Sequence, residues 1–280
     1  MLPLNREFEF THADFEKIRT MIYNYAGIAL SESKHDMVYG RLAKRLRALN
    51  LKTFQQYLQV LERGDHKEFE LFTNSMTTNL TSFFRESHHF DTLAKYLKDK
   101  RSNGSFNVWC SASSTGEEPY SLAITACEAF DSLRPPVKII ATDLDTNVLE
   151  VGRIGIYPGD EIKKLSPQRV SKFFNLQADG KYQLKQELRD MITFRRLNLI
   201  EPNWTVRGPF DAIFCRNVMI YFDKETQYKI LQRFAPLMKP EGLLYVGHSE
   251  NLYHAAEFFK LQGKTVYELA KPNAGLAMGR

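Results

Sequence analysis

Phe106-Asn107-Val108-Trp109-Cys110, Ser111-Ala112-Ser113-Ser114-Thr115-Gly116 and Glu117-Glu118-Pro119-Tyr120 follow one another directly. They read as a short apolar strand, a turn of small residues and the opening of a helix that runs on to Phe130. The same alternation returns downstream. Val137 to Thr142 is a buried-strand run, Asn147 to Ile154 is helical, Phe210 to Phe214 is a strand, Lys224 to Leu237 is helical and Gly242 to Gly247 is a strand. Strands alternating with helices predict a mostly parallel, doubly wound α/β sheet. Lys260 to Leu269 fits a closing hairpin.

Two segments break this texture. Between Tyr157 and Phe194 a short helix (Ser166 to Lys172) leads into Phe173-Phe174-Asn175-Leu176, a turn at Asp179-Gly180 and then Tyr182-Gln183-Leu184-Lys185. Asp-Gly between alternating runs is a hairpin signal, so a small antiparallel β insertion is expected at about 157–194. Before the sheet, Thr11 to Met76 reads as all helix. Thr11 is an N-cap with Asp14 and Glu16 in the first turn, and Gly27 is the stop. Further helices are expected from Asp36 to Ala48, around Phe54 to Leu61, and from Glu68 to Met76. The domain expectation is a helical 1–76, a connector at 77–90 and an α/β domain at 91–280.

Composition bounds the function classes. The 280 residues are 43% hydrophobic, 25% charged and 12% aromatic, which fits a globular chain of one large or two smaller domains and excludes disorder as the main state. No uncharged apolar run approaches the roughly 18 residues that span a membrane. Met1 to Phe10 lacks the basic-then-apolar layout of a secretory signal. The three cysteines, Cys110, Cys127 and Cys215, sit in apolar surroundings and read as reduced thiols of a cytoplasmic protein. No Cys or His spacing suggests a zinc site, so no metal is expected. With 38 basic against 33 acidic residues, a net +5 does not mark a nucleic-acid binder. A monomer is the default expectation.

Open parallel sheets bind ligands at the carboxyl ends of their strands. The turn after the first strand has one glycine, so the G-x-G-x-x-G pyrophosphate fingerprint fails. Its carboxylates, Glu117 and Glu118, would repel a phosphate and suit an amino or sulfonium cation, unless they only favour the helix dipole. Asp143-Leu144-Asp145 follows the second strand. An acid there is placed to accept hydrogen bonds from ribose hydroxyls, as in dinucleotide and S-adenosylmethionine (AdoMet) enzymes. Asp145 reads as the cap of the next helix, which leaves Asp143 for the ligand. After Phe214, polar Arg216 and Asn217 interrupt an apolar run and need partners. The missing Pro-Pro at this place argues against methylation of an amine or base. His88-His89 reads as a helix-face pair, and His248 is either structural or pocket-lining. No nucleophile–base constellation, nucleophile elbow or P-loop is present.

Asn79-Leu80-Thr81-Ser82-Phe83-Phe84-Arg85-Glu86, Ser114-Thr115-Gly116-Glu117-Glu118-Pro119-Tyr120, Ala141-Thr142-Asp143-Leu144-Asp145, Phe214-Cys215-Arg216-Asn217-Val218-Met219-Ile220-Tyr221-Phe222 and Gly247-His248-Ser249-Glu250-Asn251 together resemble the CheR family, the bacterial chemotaxis receptor methyltransferases. The resemblance covers almost the whole chain. It implies a Rossmann-like AdoMet-dependent methyltransferase sheet behind an all-α N-terminal domain. It further implies methyl transfer from AdoMet to glutamate side-chain carboxylates of chemoreceptors, leaving S-adenosyl-L-homocysteine. Carried over by motif, Asn79, Thr81 and Arg85 would contact the cofactor from the connector. Glu118 and Asp143 would hold its amino-acid or ribose portion. Asn198 and Leu199, after a strand at Ile192 to Arg196, would lie against the adenine. Arg216 and Asn217 would complete the pocket, and Arg85 and Tyr221 would border the methyl-transfer position as catalytic residues.

The implied acceptor explains the missing base. A glutamate carboxylate with a pKa of about 4.3 is already ionised at neutral pH. The implied partner is a glutamate-rich cytoplasmic receptor helix. From Lys34 to Lys52 six basic residues face one acid, and Arg41, Lys44 and Arg45 fall on one side of the second helix, a candidate receptor-binding face. Asn175 to Lys181 is short with one glycine, so tethering to a receptor's C-terminal tail peptide is not expected. Two other readings are a non-catalytic AdoMet-sensing or receptor-binding module, which would lack Arg85, Asn217 or Tyr221, and a nicotinamide oxidoreductase, which the single glycine opposes.

Overall fold

The computed structural model describes residues 6–270. The ends of the expected domains, and half of the N-terminal stretch read for a signal, lie outside the described residues. The described chain divides into two compact units. One runs through Thr78 and adds Tyr221–Asp223, and the other holds Asn79–Ile220 and the chain from Lys224 onward.

The first unit is built on four helices: α1 (His12–Ala26), α2 (His35–Ala48), α3 (Phe54–Glu62) and α4 (His66–Met76). Their ends follow local chemistry. Thr11 and Asp14 form a capping box at α1, Gly27 closes α1 at φ +70°, and Thr53 and Gln56 form a second box at α3. Phe15, Ile18, Ile22, Val38, Leu42, Leu46, Phe54, Leu58 and Phe72 are buried between them. Tyr221 belongs here through its carbonyl, which accepts the Ala29 N–H at 2.8 Å.

The basic side of α2 differs from the expectation of a receptor-facing surface. Arg45 makes a two-pronged contact with Glu68 of α4, Nε–Oε1 at 2.9 Å and Nη2–Oε2 at 2.6 Å, and the Tyr57 hydroxyl donates to the same carboxylate at 2.9 Å. Arg41 donates to the carbonyls of Met76 and Thr77 at 2.9 and 2.8 Å, closing the electronegative end of α4. Helix α4 has come to lie over these two arginines, and only Lys44 of the three is exposed. Sequence spacing placed the three on one side of α2 but could not show that another helix covers part of it.

The second unit carries the sheet. Helix α5 (His88–Asp99) precedes β1 (Phe106–Cys110), and α6 (Glu117–Phe130), β2 (Val137–Asp143) and α7 (Thr146–Ile154) follow. A small antiparallel sheet comes next, with strands in the order β3 (Ile156–Tyr157), β5 (Tyr182–Leu184), β4 (Phe174–Leu176) and with α8 (Gly159–Ile162) and α9 (Pro167–Phe173) between β3 and β4. After α10 (Gln186–Asp190) the main sheet resumes with β6 (Ile192–Arg196), β7 (Phe210–Cys215), α11 (Lys224–Phe234), β8 (Met238–Val246), β9 (Phe259–Gly263) and β10 (Val266–Leu269).

 

Strand β10 spans Val266–Leu269. The seven-stranded sheet has the order β6-β2-β1-β7-β8-β10-β9. The pairs from β6 through β8 are parallel, and β10 runs antiparallel to β8 and β9. The carboxyl ends of β1, β2, β6 and β7 therefore lie side by side. Three details depart from the sequence reading. Helix α11 stops at Phe234 because Pro236 cannot continue its hydrogen bonding. Strand β8 begins at Met238, earlier than Gly242. Helix α5 carries the His88-His89 pair as expected, but its extent to Asp99 was not read, although Phe90, Leu93 and Leu97 recur at helical spacing and are buried.

Replacing Glu68 by Ala removes the acceptor of both Arg45 and Tyr57. It is expected to destabilise the helical unit by about 3 kcal/mol, read as a lower urea midpoint. An unchanged midpoint would show that the buried pair contributes no net stability.

Candidate active site

The turn after β1 is shaped by backbone contacts. Ser113 N–H donates to Thr142 O at 2.8 Å, and Ser114 and Gly116 have φ of +47° and +103°. A Cβ on Gly116 would lie 2.7 Å from Tyr157 Oη and 2.8 Å from Gly152 Cα. Glycine is thus required here by the packing of α7 and β3, not only by the approach of a ligand.

Asp143 sits at the end of β2. Its Oδ2 accepts the Ser114 N–H at 2.8 Å and its Oδ1 the Asp145 N–H at 3.0 Å. Burial pushes its pKa up to about 6, against the pull of those N–H groups. Asp145 caps α7 through Asn147 N–H at 2.9 Å, as expected, and also accepts Asn79 Nδ2 at 2.8 Å. Asn79 is tied in a second way, its carbonyl accepting Ser114 Oγ at 3.1 Å. Thr81 is half-buried two residues along. On the other side of Asp143, its carbonyl accepts the Leu197 N–H at 2.9 Å, which brings buried Asn198 and Leu199 to the same sheet end.

Arg216 ties the rest together. Its side chain is 1% exposed. Nη1 donates to Glu118 Oε2 at 2.6 Å, and Nη2 donates to the Arg85 carbonyl and lies 3.3 Å from Glu86 Oε2. Burial alone would lower the guanidinium's pKa, but Glu118 and Glu86 raise it, so it stays charged. Burial pushes the Glu86 carboxyl up, and Arg216 and the His248 N–H at 3.1 Å outweigh that, leaving it below the usual carboxylate range. Arg85 spends one guanidinium N–H on Leu80 O at 3.0 Å, which curls the connector.

The charge balance of the turn is not what the sequence suggested. Glu118 is matched by Arg216. Glu117 is buried, accepts Thr115 Oγ1, and is pushed up by its burial. The histidines also resolve. His89 is buried with Nε2 3.0 Å from Lys264 O, and burial and Arg216 bring its pKa down to about 4. It is a neutral structural group. His248 has an exposed side chain and contributes its backbone N–H to Glu86. Cys110, Cys127 and Cys215 are buried free thiols, and Cys110 donates to Glu118 Oε1 at 3.2 Å.

One unit thus gathers Asn79, Thr81, Arg85, Glu118, Asp143, Asn198, Leu199, Arg216 and Asn217 around adjoining strand ends. Tyr221 alone groups with the helical unit. Sequence reasoning gave no role to Glu86, His89 or Glu250, although Glu86 and Glu250 stand inside quoted motifs. The donor set fits an AdoMet-like molecule. Asp143 has the carboxylate oxygens that ribose hydroxyls would donate to, and Glu118 is a carboxylate that would suit a cationic head. Among the described residues, buried Ser113 Oγ and Arg216 Nε at this sheet end have no hydrogen-bond partner.

Comparison with known proteins agrees. Residues 79–267 match the family model of the CheR methyltransferase SAM-binding domain, and residues 13–77 match the CheR methyltransferase all-alpha domain. The chain is 48% identical to the chemotaxis protein methyltransferase of Escherichia coli K12 over 97% of its own length and 96% of that protein's. It is 47% identical to chemotaxis protein methyltransferase 2 of Pseudomonas aeruginosa over 95% of its length and 96% of that protein's. A chain with this sheet end, this donor set and these relatives belongs to the CheR methyltransferase family and is an AdoMet-dependent enzyme of chemotaxis.

Proposed function

We propose that the acceptor is the side-chain carboxylate of glutamates on chemoreceptor cytoplasmic helices, and that the product is a glutamate methyl ester. The observation that carries this reading is the absence, among the described residues of the site, of a base positioned to deprotonate an acceptor. Glu118 and Glu86 are tied to Arg216, and His89 is buried and bonded to the turn after β9. An acceptor that arrives ionised needs none. The bound cofactor supplies an electrophilic sulfonium methyl. Asp143 orients the ribose, Glu118 offsets the cationic head, Asn198 and Leu199 flank the adenine, and Asn79, Thr81, Arg216 and Asn217 complete the binding set. Arg85 keeps part of its guanidinium fork for the acceptor carboxylate. Tyr221 is kept as a catalytic residue on family resemblance alone. Alignment and exclusion of water are the main work of such a site.

The deciding experiment uses methyl-labelled AdoMet, the purified protein and receptor-bearing membranes. Label released as methanol by mild base supports carboxylate methylation. Label that survives base refutes it.

Asp143 gives the reaction a pH signature. Ribose hydroxyls donate to the carboxylate, so binding favours its ionised form. AdoMet affinity is expected to weaken as pH falls through about 6, approaching tenfold per unit below it. Asp143→Asn should bind weakly at all pH values with no inflection near 6. Calorimetry across pH 5–8 checks both.

The helical unit, residues 1–76, is proposed to recognise the receptor. Because Arg41 and Arg45 serve α4 and Glu68, Lys44 is the residue of the three that can steer an acidic helix without disturbing the fold. Lys44→Glu is expected to raise the KM for receptor about threefold at low salt, with the difference shrinking as salt rises. An unchanged KM at low salt would remove this face from receptor recognition.

A further inference from the structure

The motif Gly247-His248-Ser249-Glu250-Asn251 follows β8 and has no part in the binding set above. Glu250 is buried, and its partners are backbone N–H groups. Oε2 accepts from Gly247 at 2.5 Å and from Asn217 at 3.0 Å, and Oε1 accepts from Val218 at 3.0 Å. Burial raises the Glu250 pKa, and the backbone N–H groups of Gly247, Asn217, Met219 and Ile220 pull it down. One carboxylate therefore satisfies a whole turn, the one that opens at Asn217 with φ +57°. The fit is close. A Cβ on Gly247 would lie 2.5 Å from Asn217 Nδ2, 2.8 Å from Glu250 Oε2 and 2.9 Å from Asn217 N.

We propose that Glu250 is a positioning residue for methyl transfer. Its carboxylate clamps the turn Asn217–Ile220 to the end of β8, and so fixes Asn217 next to Arg216. This rests on the methyl-transfer reading above. Carboxylate–N–H bonds are stronger than neutral ones, and a glutamine cannot replace them. Its NH2 would face N–H donors whichever way the amide turned. Asp143 and Glu118 have their own partners, so within the binding set only Asn217 is held directly by the clamp.

The test pairs Glu250→Gln with Gly247→Ala, which keeps the carboxylate chemically intact but crowds it and the turn it holds. Hydrogen exchange at 217–220 is expected to accelerate in both variants, while amides of β7 stay protected as in the wild type. In Glu250→Gln, kcat on receptor membranes should fall by roughly tenfold or more, while the AdoMet Kd from calorimetry moves less than about threefold at full binding stoichiometry. Unchanged exchange at 217–220 in both variants overturns the proposal. So does a kcat within about twofold of wild type, or a loss of binding stoichiometry that tracks the loss of activity. If the wild-type protein itself methylates no receptor, the functional reading fails, and the exchange contrast still decides whether Glu250 clamps the turn.

Discussion

The buried guanidinium of Arg216 is the constraint on which the α/β unit depends. A side chain 1% exposed cannot keep its hydration, and an unpaired charge there would cost several kcal/mol. Its partners come from separate parts of the chain: Glu118 from the first turn of α6, Glu86 and the Arg85 carbonyl from the connector. None of these can be omitted without stranding a charge. The connector, the start of α6 and the end of β7 must therefore close on one another. Stability and the proposed ligand contact draw on the same carboxylate, Glu118.

The network extends beyond the arginine. Glu86 receives the His248 N–H, Glu250 receives the turn after Arg216, and His89 reaches the turn between β9 and β10. The loops at this end of the sheet are thus cross-linked through buried polar groups that bond to one another's backbone and carboxylates. Such networks specify one arrangement because a half-satisfied alternative leaves polar atoms without water or partner. A methyltransferase gains from that rigidity, since alignment of donor and acceptor is its chief contribution.

How much of this could be read in advance depended on the range of the interaction. Caps and stops were legible because their chemistry is local: Thr11, Gly27 and Asp145 each act within a few residues. Strand–helix alternation was legible for the same reason, and it led to the sheet end where Asp143 and Glu118 stand. Their assignment to the ligand came from that geometry and from resemblance. What could not be read was long-range pairing. Arg216 finds Glu118 across 98 positions, and Arg45 finds Glu68 across 23. Periodicity places a side chain on a face but says nothing about what covers it. That is why Arg41 and Arg45 read as a docking surface, and why Glu117 and Glu118 read as uncompensated charge.

Apart from the paired Arg216 and Glu86, which shift toward their charged forms, the perturbed groups at this sheet end share a direction. Burial raises Asp143 and Glu117, lowers His89, and pushes the Cys110 and Cys215 thiols far up. Each shift disfavours the charged form, and each of these side chains hydrogen-bonds, packs or binds. This arrangement suits a poor nucleophile that is already ionised. A lysine acceptor, with a pKa of about 10.4, would have to lose a proton before attack. A carboxylate would not, and excluding water from around it raises its nucleophilicity. The chemical demand on the protein reduces to holding two reactants still, a task suited to a sheet end tied by one buried cation and one buried carboxylate.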